Sequence, residues 1–180
     1  MDYPMHTEIF PDEEQRKKKL PKFMEFSIRS GMKFGNAYAS SDRLEAIAVW
    51  LDPAHSIPSI IDSIRVGGLS MILQIKLRTL IRAKKIWDRT EQLHEDHAPD
   101  RHWYLESLAV QEEHRGEGLA RKLLEAKFDE LNKENTAAYL ETHDPNNVAI
   151  YERLGFETVC KTDILNTKMT HYSMVRYPEN

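Results

Sequence analysis

The stretch QEEHRGEGLARKLL, residues 111 to 124, constrains this chain more than any other. Gly116 and Gly118 strip the side chains from the link between a strand-like run, HWYLESLAV, and a helix-like run that follows. A strand feeding a helix through bare backbone presents several N–H donors at the positive end of a helix dipole, where they can hold a phosphate or diphosphate. A side chain at either glycine would keep the phosphate off the main chain. Arg115 adds a charge that can help hold an anion or can lie in solvent.

The rest of the second half extends this unit. EGLARKLLEAKFDELNKEN carries Ala120, Leu124, Phe128 and Leu131 on one helical stripe. AAYLETH reads as a strand, NNVAIYERLG as a short helix ending at Gly155, and FETVCK as a strand that pairs back with HYSMVRY. The strands near 103 and 137 must then be joined by a right-handed parallel crossover. Upstream, DEEQRKKKL begins a helix that Pro21 should break or kink, with Phe23, Phe26 and Met32 as expected core contacts. GNAYAS and LEAIAVWLDP read as an antiparallel hairpin, and SIPSIIDSIRVGG as a short helix. Leu69, Leu73, Leu77, Leu80, Ile81 and Trp87 recur at helical spacing, which predicts one long amphipathic helix from Leu69 to about His94.

At 180 residues the chain suits a single domain, 1–180. It divides into a helical and hairpin part (1–100) that would shape an acceptor side and a denser core (101–177). A net charge of −4 gives no reason to expect nucleic acid, and the basic run from Ile75 to Lys85 reads as the wet face of a helix. Cys160 is the lone cysteine, so no intramolecular disulfide forms, and a small apolar role suits it in a strand. No secretory signal or spanning segment is evident and no membrane partner is expected, so a cytoplasmic location is anticipated. His102, His114 and His143 are scattered without ligand spacing, so no metal is expected and each His is read as solvent-facing.

Two readings of the glycine turn compete. GEGLAR begins like the G-x-G-x-x-G of a dinucleotide fold, and Glu141 falls near the end of the next strand, where a ribose-binding acid would sit. The third glycine is Arg121, however, and repeated strand–helix units do not follow. RGEGLA also matches R/Q-x-x-G-x-G/A through Arg115, Gly118 and Ala120. That pattern, LAVQEEHRGEGLARKLL around it, and NVAIYERLGFETV downstream resemble the Gcn5-related N-acetyltransferase (GNAT) superfamily from about residue 102 to 160. HWYLESLAV, YLETH and the "NV" of Asn147 are similar to the branch that includes puromycin N-acetyltransferase. The family commonly opens with a strand and helix, whereas DYPMHTEIFPDEE resembles the middle of that first helical region. Its common asparagine seven positions before the tyrosine is here Asp144.

The resemblance implies an α/β (α+β) fold, with a mixed, mostly antiparallel sheet splayed at the central parallel pair and flanked by helices. It implies an enzyme that moves the acetyl group of acetyl-CoA directly to a primary amine. The main chain of Leu108, Ala109 and Val110 would receive the pantetheine arm, as an added strand is received. Arg115, Gly116, Glu117, Gly118, Leu119 and Ala120 would hold the diphosphate, and Asn147 would add a cofactor contact. Tyr151 would serve as general acid to the sulfur, since a phenol of pKa near ~10 keeps its proton at neutral pH. Glu106 beside the cleft would be the base or else an exposed strand glutamate, with Glu141 and Tyr104 in the same neighbourhood. The acceptor, a small molecule or a peptide amine, is unread, and a homodimer stays open. A CoA-binding module without catalysis is the alternative from another class.

Overall fold

A computed structural model describes residues 3–57, 59–69, 73 and 75–179. Helices α1 (Pro4–Ile9) and α2 (Glu13–Phe34) precede a hairpin of β1 (Gly35–Ala39) and β2 (Ala46–Leu51). The short α3 (Ile60–Arg65) and the long α4 (Leu77–His97) lead to β3 (His102–Val110), a 3-10 turn at Glu112–His114, and α5 (Leu119–Glu134). The chain closes with β4 (Ala137–Thr142), α6 (Pro145–Glu152), β5 (Glu157–Asp163) and β6 (Thr170–Arg176). These strands form one sheet in the order β1-β2-β3-β4-β6-β5. Only β3 and β4 run parallel in it. A fold built from repeated parallel units is therefore not what the chain adopts, and the mixed sheet anticipated from the sequence is.

Helices cover both faces. On one side α5 turns Leu124, Phe128 and Leu131 onto Trp50, Leu105, Leu140 and Met174. Each such side chain removed from water contributes roughly 1.5–3 kcal/mol. The buried Lys127 lies in that same face, its Nζ 3.4 Å from the Trp103 ring centre and 3.0 Å from Asn36 Oδ1. On the other side Ala83, Ile86 and Leu93 of α4 meet Ile9, Phe10, Ile164 and Met169. Among the described residues no helix is long and apolar enough to cross a membrane.

Three expectations for the N-terminal part need correction. Pro21 does not break α2, which runs through it without interruption. The carbonyl that its missing N–H would have engaged belongs to Lys17, on the exposed face, where water can satisfy it. Met32 is 73% exposed, and the buried face of α2 is instead Ser27, Ser30, Gly31 and Phe34. Small residues are needed there because a Cβ at Gly31 would collide with Val49 Cγ1, so helix backbone lies directly on β2. The helix expected from Leu69 begins at Leu77, and residues 70–72 and 74 of that stretch lie outside the described residues. Leu73, Leu77 and Ile81 keep their helical spacing yet stay exposed; the stripe that meets the core starts at Ala83.

The register explains the opening at the sheet's centre. β3 and β4 pair from His102↔Ala137 to Leu105↔Leu140 and no further. One residue beyond, Val49 of β2 opposes Ser107 while Trp50 opposes Leu105, which leaves Glu106 as an extra residue in β3. Such a bulge bends its strand and sharpens its twist. Trp103 and Leu105 before it, and Leu108 and Val110 after it, then share the α5 face, a change from odd to even positions.

Candidate active site

Past the bulge, β3 has β2 on one side and a gap on the other. Gln111 N–H donates to Glu45 O at 2.8 Å, while Ala46 turns its main-chain groups to Ser40 of the β1 side. In an antiparallel ladder successive residues alternate in direction, so Val110 and Leu108 direct their N–H and C=O groups into the gap. Ala109, expected to share that role, directs its groups to β2.

The glycine turn stands at the carboxyl end of the same strand. Gly116 and Gly118 hold φ of +86° and +76°, in the left-handed region, and a Cβ at either would meet nothing within 4 Å. Gly118 is the N-cap of α5 and offers no side-chain cap, so the first N–H groups of the helix, from Leu119 and Ala120 onward, face outward. Arg115 and Glu117 flank them, exposed, with Glu117 drawn 3.1 Å from His114 Nδ1.

At the carboxyl end of β4, Thr142 Oγ1 gathers three contacts. Asn147 Nδ2 donates to it at 3.3 Å, Asp144 N–H at 3.3 Å, and the Tyr3 phenol lies 3.4 Å away. Tyr151, one turn beyond Asn147 on α6, sets its ring edge-on to Phe156 with centroids 5.8 Å apart. Burial pushes the Tyr151 phenol above its ordinary pKa, and the nearby Tyr3 adds to the rise. Such a group stays protonated throughout the neutral range.

Glu106 sits at the bulge, where Ser27 Oγ of α2 donates a hydrogen bond to its Oε2. Ser27 Oγ is also 2.9 Å from Ser107 Oγ. Burial raises the Glu106 carboxyl above the usual carboxylate range, and the bonds from Ser27 and Ser107 oppose that rise. Glu141, next to the last residue of β4, is enclosed: Tyr139 Oη donates to its Oε1 at 3.1 Å, and His94 Nδ1 lies 3.5 Å away. Tyr104 packs beside it against the rings of His94 and Tyr139.

Glu106, the Leu108 and Val110 main chain and the glycine turn thus follow one another along and after the carboxyl half of β3, while Asn147 and Tyr151 lie on the helix that follows the carboxyl end of β4. Sequence reading missed Tyr3, Ser27 and Thr142, which come from distant parts of the chain and carry no local motif. It also misplaced two histidines. His102 and His143 are buried at 6% and 3% exposure, not solvent-facing.

Those histidines make acid stability a test of the fold. Desolvation depresses His102 and His143 to about 4, and His171 to about 3. The unfolded chain protonates its histidines near ~6.5 and so binds more protons between the two values. The contribution is whole above pH ~6.5 and is lost as pH falls toward 4. Thermal unfolding followed across that range is expected to show the midpoint dropping by several degrees; a midpoint flat from pH 7 to 4.5 would mean that these rings are not buried neutral.

Comparison with known proteins was made on sequence and on structure. Residues 80–156 match the acetyltransferase (GNAT) family. An uncharacterized N-acetyltransferase of Schizosaccharomyces pombe is 27% identical over 98% of this chain and 72% of its own length. The uncharacterized N-acetyltransferase YhbS of Escherichia coli is 44% identical over 57 residues, 32% of either chain. A crystal structure of a histone acetyltransferase HPA2 and related acetyltransferase from Corynebacterium glutamicum superposes with a TM-score of 0.62, covering 97% of this chain and 87% of that one at 20% identity.

Proposed function

We propose, from the match of residues 80–156 to the acetyltransferase (GNAT) family, that the chain carries the acetyl group of acetyl-CoA directly onto a primary amine at the parting of β3 and β4. What supports the reading best is one juxtaposition: a strand pair that separates after Leu105 and Leu140 beside a turn with two left-handed glycines. The gap offers main-chain groups of Leu108 and Val110 to an extended amide arm. The glycine turn offers the N–H groups of Gly118, Leu119 and Ala120, with Arg115 alongside, to a diphosphate. Asn147 adds a side-chain amide on the far wall.

Chemistry then needs three proton transfers, two from nitrogen and one to sulfur. Glu106 draws a proton from the ammonium, directly or through water, and its raised pKa brings it nearer the basicity such a task requires. The freed nitrogen forms a bond to the thioester carbon and gives up a second proton to water, the carbon–sulfur bond breaks, and Tyr151 O–H gives its proton to the departing sulfur, to be restored from solvent. Holding the reactants in line supplies much of the rate. The acceptor is a small-molecule or peptide amine. Free CoA measured with purified protein, acetyl-CoA and a panel of primary amines tests this reading; a protein that binds acetyl-CoA yet releases none with any amine would be the non-catalytic module instead.

A further inference from the structure

Arg16, Phe23, Ser27, Ser30 and Phe34 share one stripe of α2. Arg16, Ser27, Ser30 and Phe34 are buried, whereas Phe23, expected from the sequence as a core contact, is only half-buried. The stripe is thus covered at both ends and open at Phe23, on the side of the sheet where Ser27 Oγ donates to Glu106. Phe23 precedes Ser27 by four residues, and side chains so spaced have Cβ atoms about 5–6 Å apart. The ring therefore stands one helical turn from the contact that holds Glu106.

Other rings join it. Trp87 of α4 stacks on Phe23 with centroids 6.2 Å apart and planes 15° from parallel, and the His6 ring of α1 meets Phe23 edge-on at 6.3 Å. Tyr3 continues the row, 5.3 Å from His6. The end of β4 fixes Tyr3: its oxygen accepts the His143 main-chain N–H at 2.8 Å, and its O–H donates to Thr142 Oγ1 at 3.4 Å. Thr142 Oγ1 also accepts from Asn147 Nδ2 at 3.3 Å, on the helix that carries Tyr151. Four half-buried rings thus run from the Glu106 side of the parting strands to the Asn147 side. Burial holds the His6 imidazole down at about 4, so at neutral pH the row carries no charge of its own. Such rings attract an apolar body, and the faces of Phe and Trp attract a cation as well.

We propose that the acceptor is an aromatic primary amine with a short aliphatic spacer, its ring against the Phe23–Trp87 pair and its nitrogen at Glu106. The inference rests on the amine-transfer reading for the role of Glu106; it adds the substrate class and the residues that select it. Two features set that class. A separation of about one helical turn between Phe23 and the Ser27–Glu106 contact suits a ring and an amine joined by about two carbons. An ammonium that arrives between a carboxylate and aromatic faces is attracted by both. A short aliphatic amine would reach Glu106 yet leave the ring surfaces wet.

Initial rates of CoA release by the full chain with acetyl-CoA and matched amines test the proposal. Phenethylamine is expected to exceed ethylamine in kcat/KM by about 50-fold, through burial of its ring. It should exceed 2-cyclohexylethylamine by about fivefold, since the saturated ring lacks the π faces that stack. Phe23→Leu keeps apolar bulk without the aromatic face and is expected to raise KM for phenethylamine about tenfold, while KM for acetyl-CoA holds. Isothermal titration of phenethylamine into protein saturated with CoA reads the same site without turnover and should show the same loss. Should Phe23→Leu fail to fold, Trp87→Leu removes the other ring of the pair and is read in the same way. Equal kcat/KM for the aromatic, saturated and short amines, or a folded variant with wild-type KM for phenethylamine, overturns the inference and leaves acetyl transfer standing. Wild-type protein that releases no CoA with any amine tells against acetyl transfer instead. The titration then decides this site alone: binding that Phe23→Leu weakens sustains it, and phenethylamine that does not bind removes it.

Discussion

Gly118→Glu is expected to weaken acetyl-CoA binding at least 100-fold in isothermal titration, with the protein still folded. Three effects add at that position. Gly118 sits at φ +76°, where any side chain adds about 1–2 kcal/mol of backbone strain, and relief of that strain would turn the first N–H groups of α5 away. A Cβ there meets no protein atom within 4 Å, so the substitution fills the space in front of the turn and not the core. The new carboxylate then opposes a diphosphate at close range, where like charges ~4 Å apart repel by about 4 kcal/mol at an effective dielectric of 20. A hundredfold loss corresponds to about 2.7 kcal/mol, well within that sum. Gly118→Ala separates the causes, because it carries the strain without the charge and should lose only about tenfold. Equal binding by wild type and Gly118→Glu would remove the glycine turn from the site.

The turn was readable because its requirement is local. Positive φ at Gly116 and Gly118, the strand before and the helix after all lie within one short window, and glycine is the residue that such backbone favours. Three strand pairings followed almost as directly, since the hairpin, the crossover and the final pair each join neighbours in sequence, whereas the pairing of β2 with β3 and of β4 with β6 was not read. What stayed hidden depends on partners far along the chain. Ser27 meets Glu106 across 79 positions and Tyr3 meets His143 across 140, and neither contact leaves a spacing to detect. His143 and His102 were misjudged for the same reason: a histidine beside a loop looks solvent-exposed until another element covers it. The bulge at Glu106 is a further case. Alternation read along HWYLESLAV gives no sign that the inward face changes from Leu105 to Leu108, because the extra residue is defined only by β2 opposite.

Tyr151→Phe carries the chemical half of the reading, and kcat for acetyl transfer is expected to fall about 100-fold or more. A positioned general acid contributes typically ~10²–10⁴ in rate, and the variant loses only the O–H that would supply it. Its ring should stay where it is, since the contact with Phe156 and with the core beneath is made by carbon atoms that phenylalanine keeps. For that reason the thermal midpoint should stay within a degree or two of wild type. KM for acetyl-CoA should also hold, because the turn and the strand gap that would bind it are separate from the phenol. That pattern, kcat down and KM unchanged, marks a group that acts in the transition state and not in binding. The raised pKa of the phenol makes a further distinction. A rate limited by loss of the Tyr151 proton would decline only in strongly alkaline solution, above the ordinary tyrosine range, so wild type should show no alkaline fall near pH 9 that Tyr151→Phe abolishes. Undiminished turnover in the variant would make Tyr151 a packing residue, and the proton for sulfur would have to come from solvent.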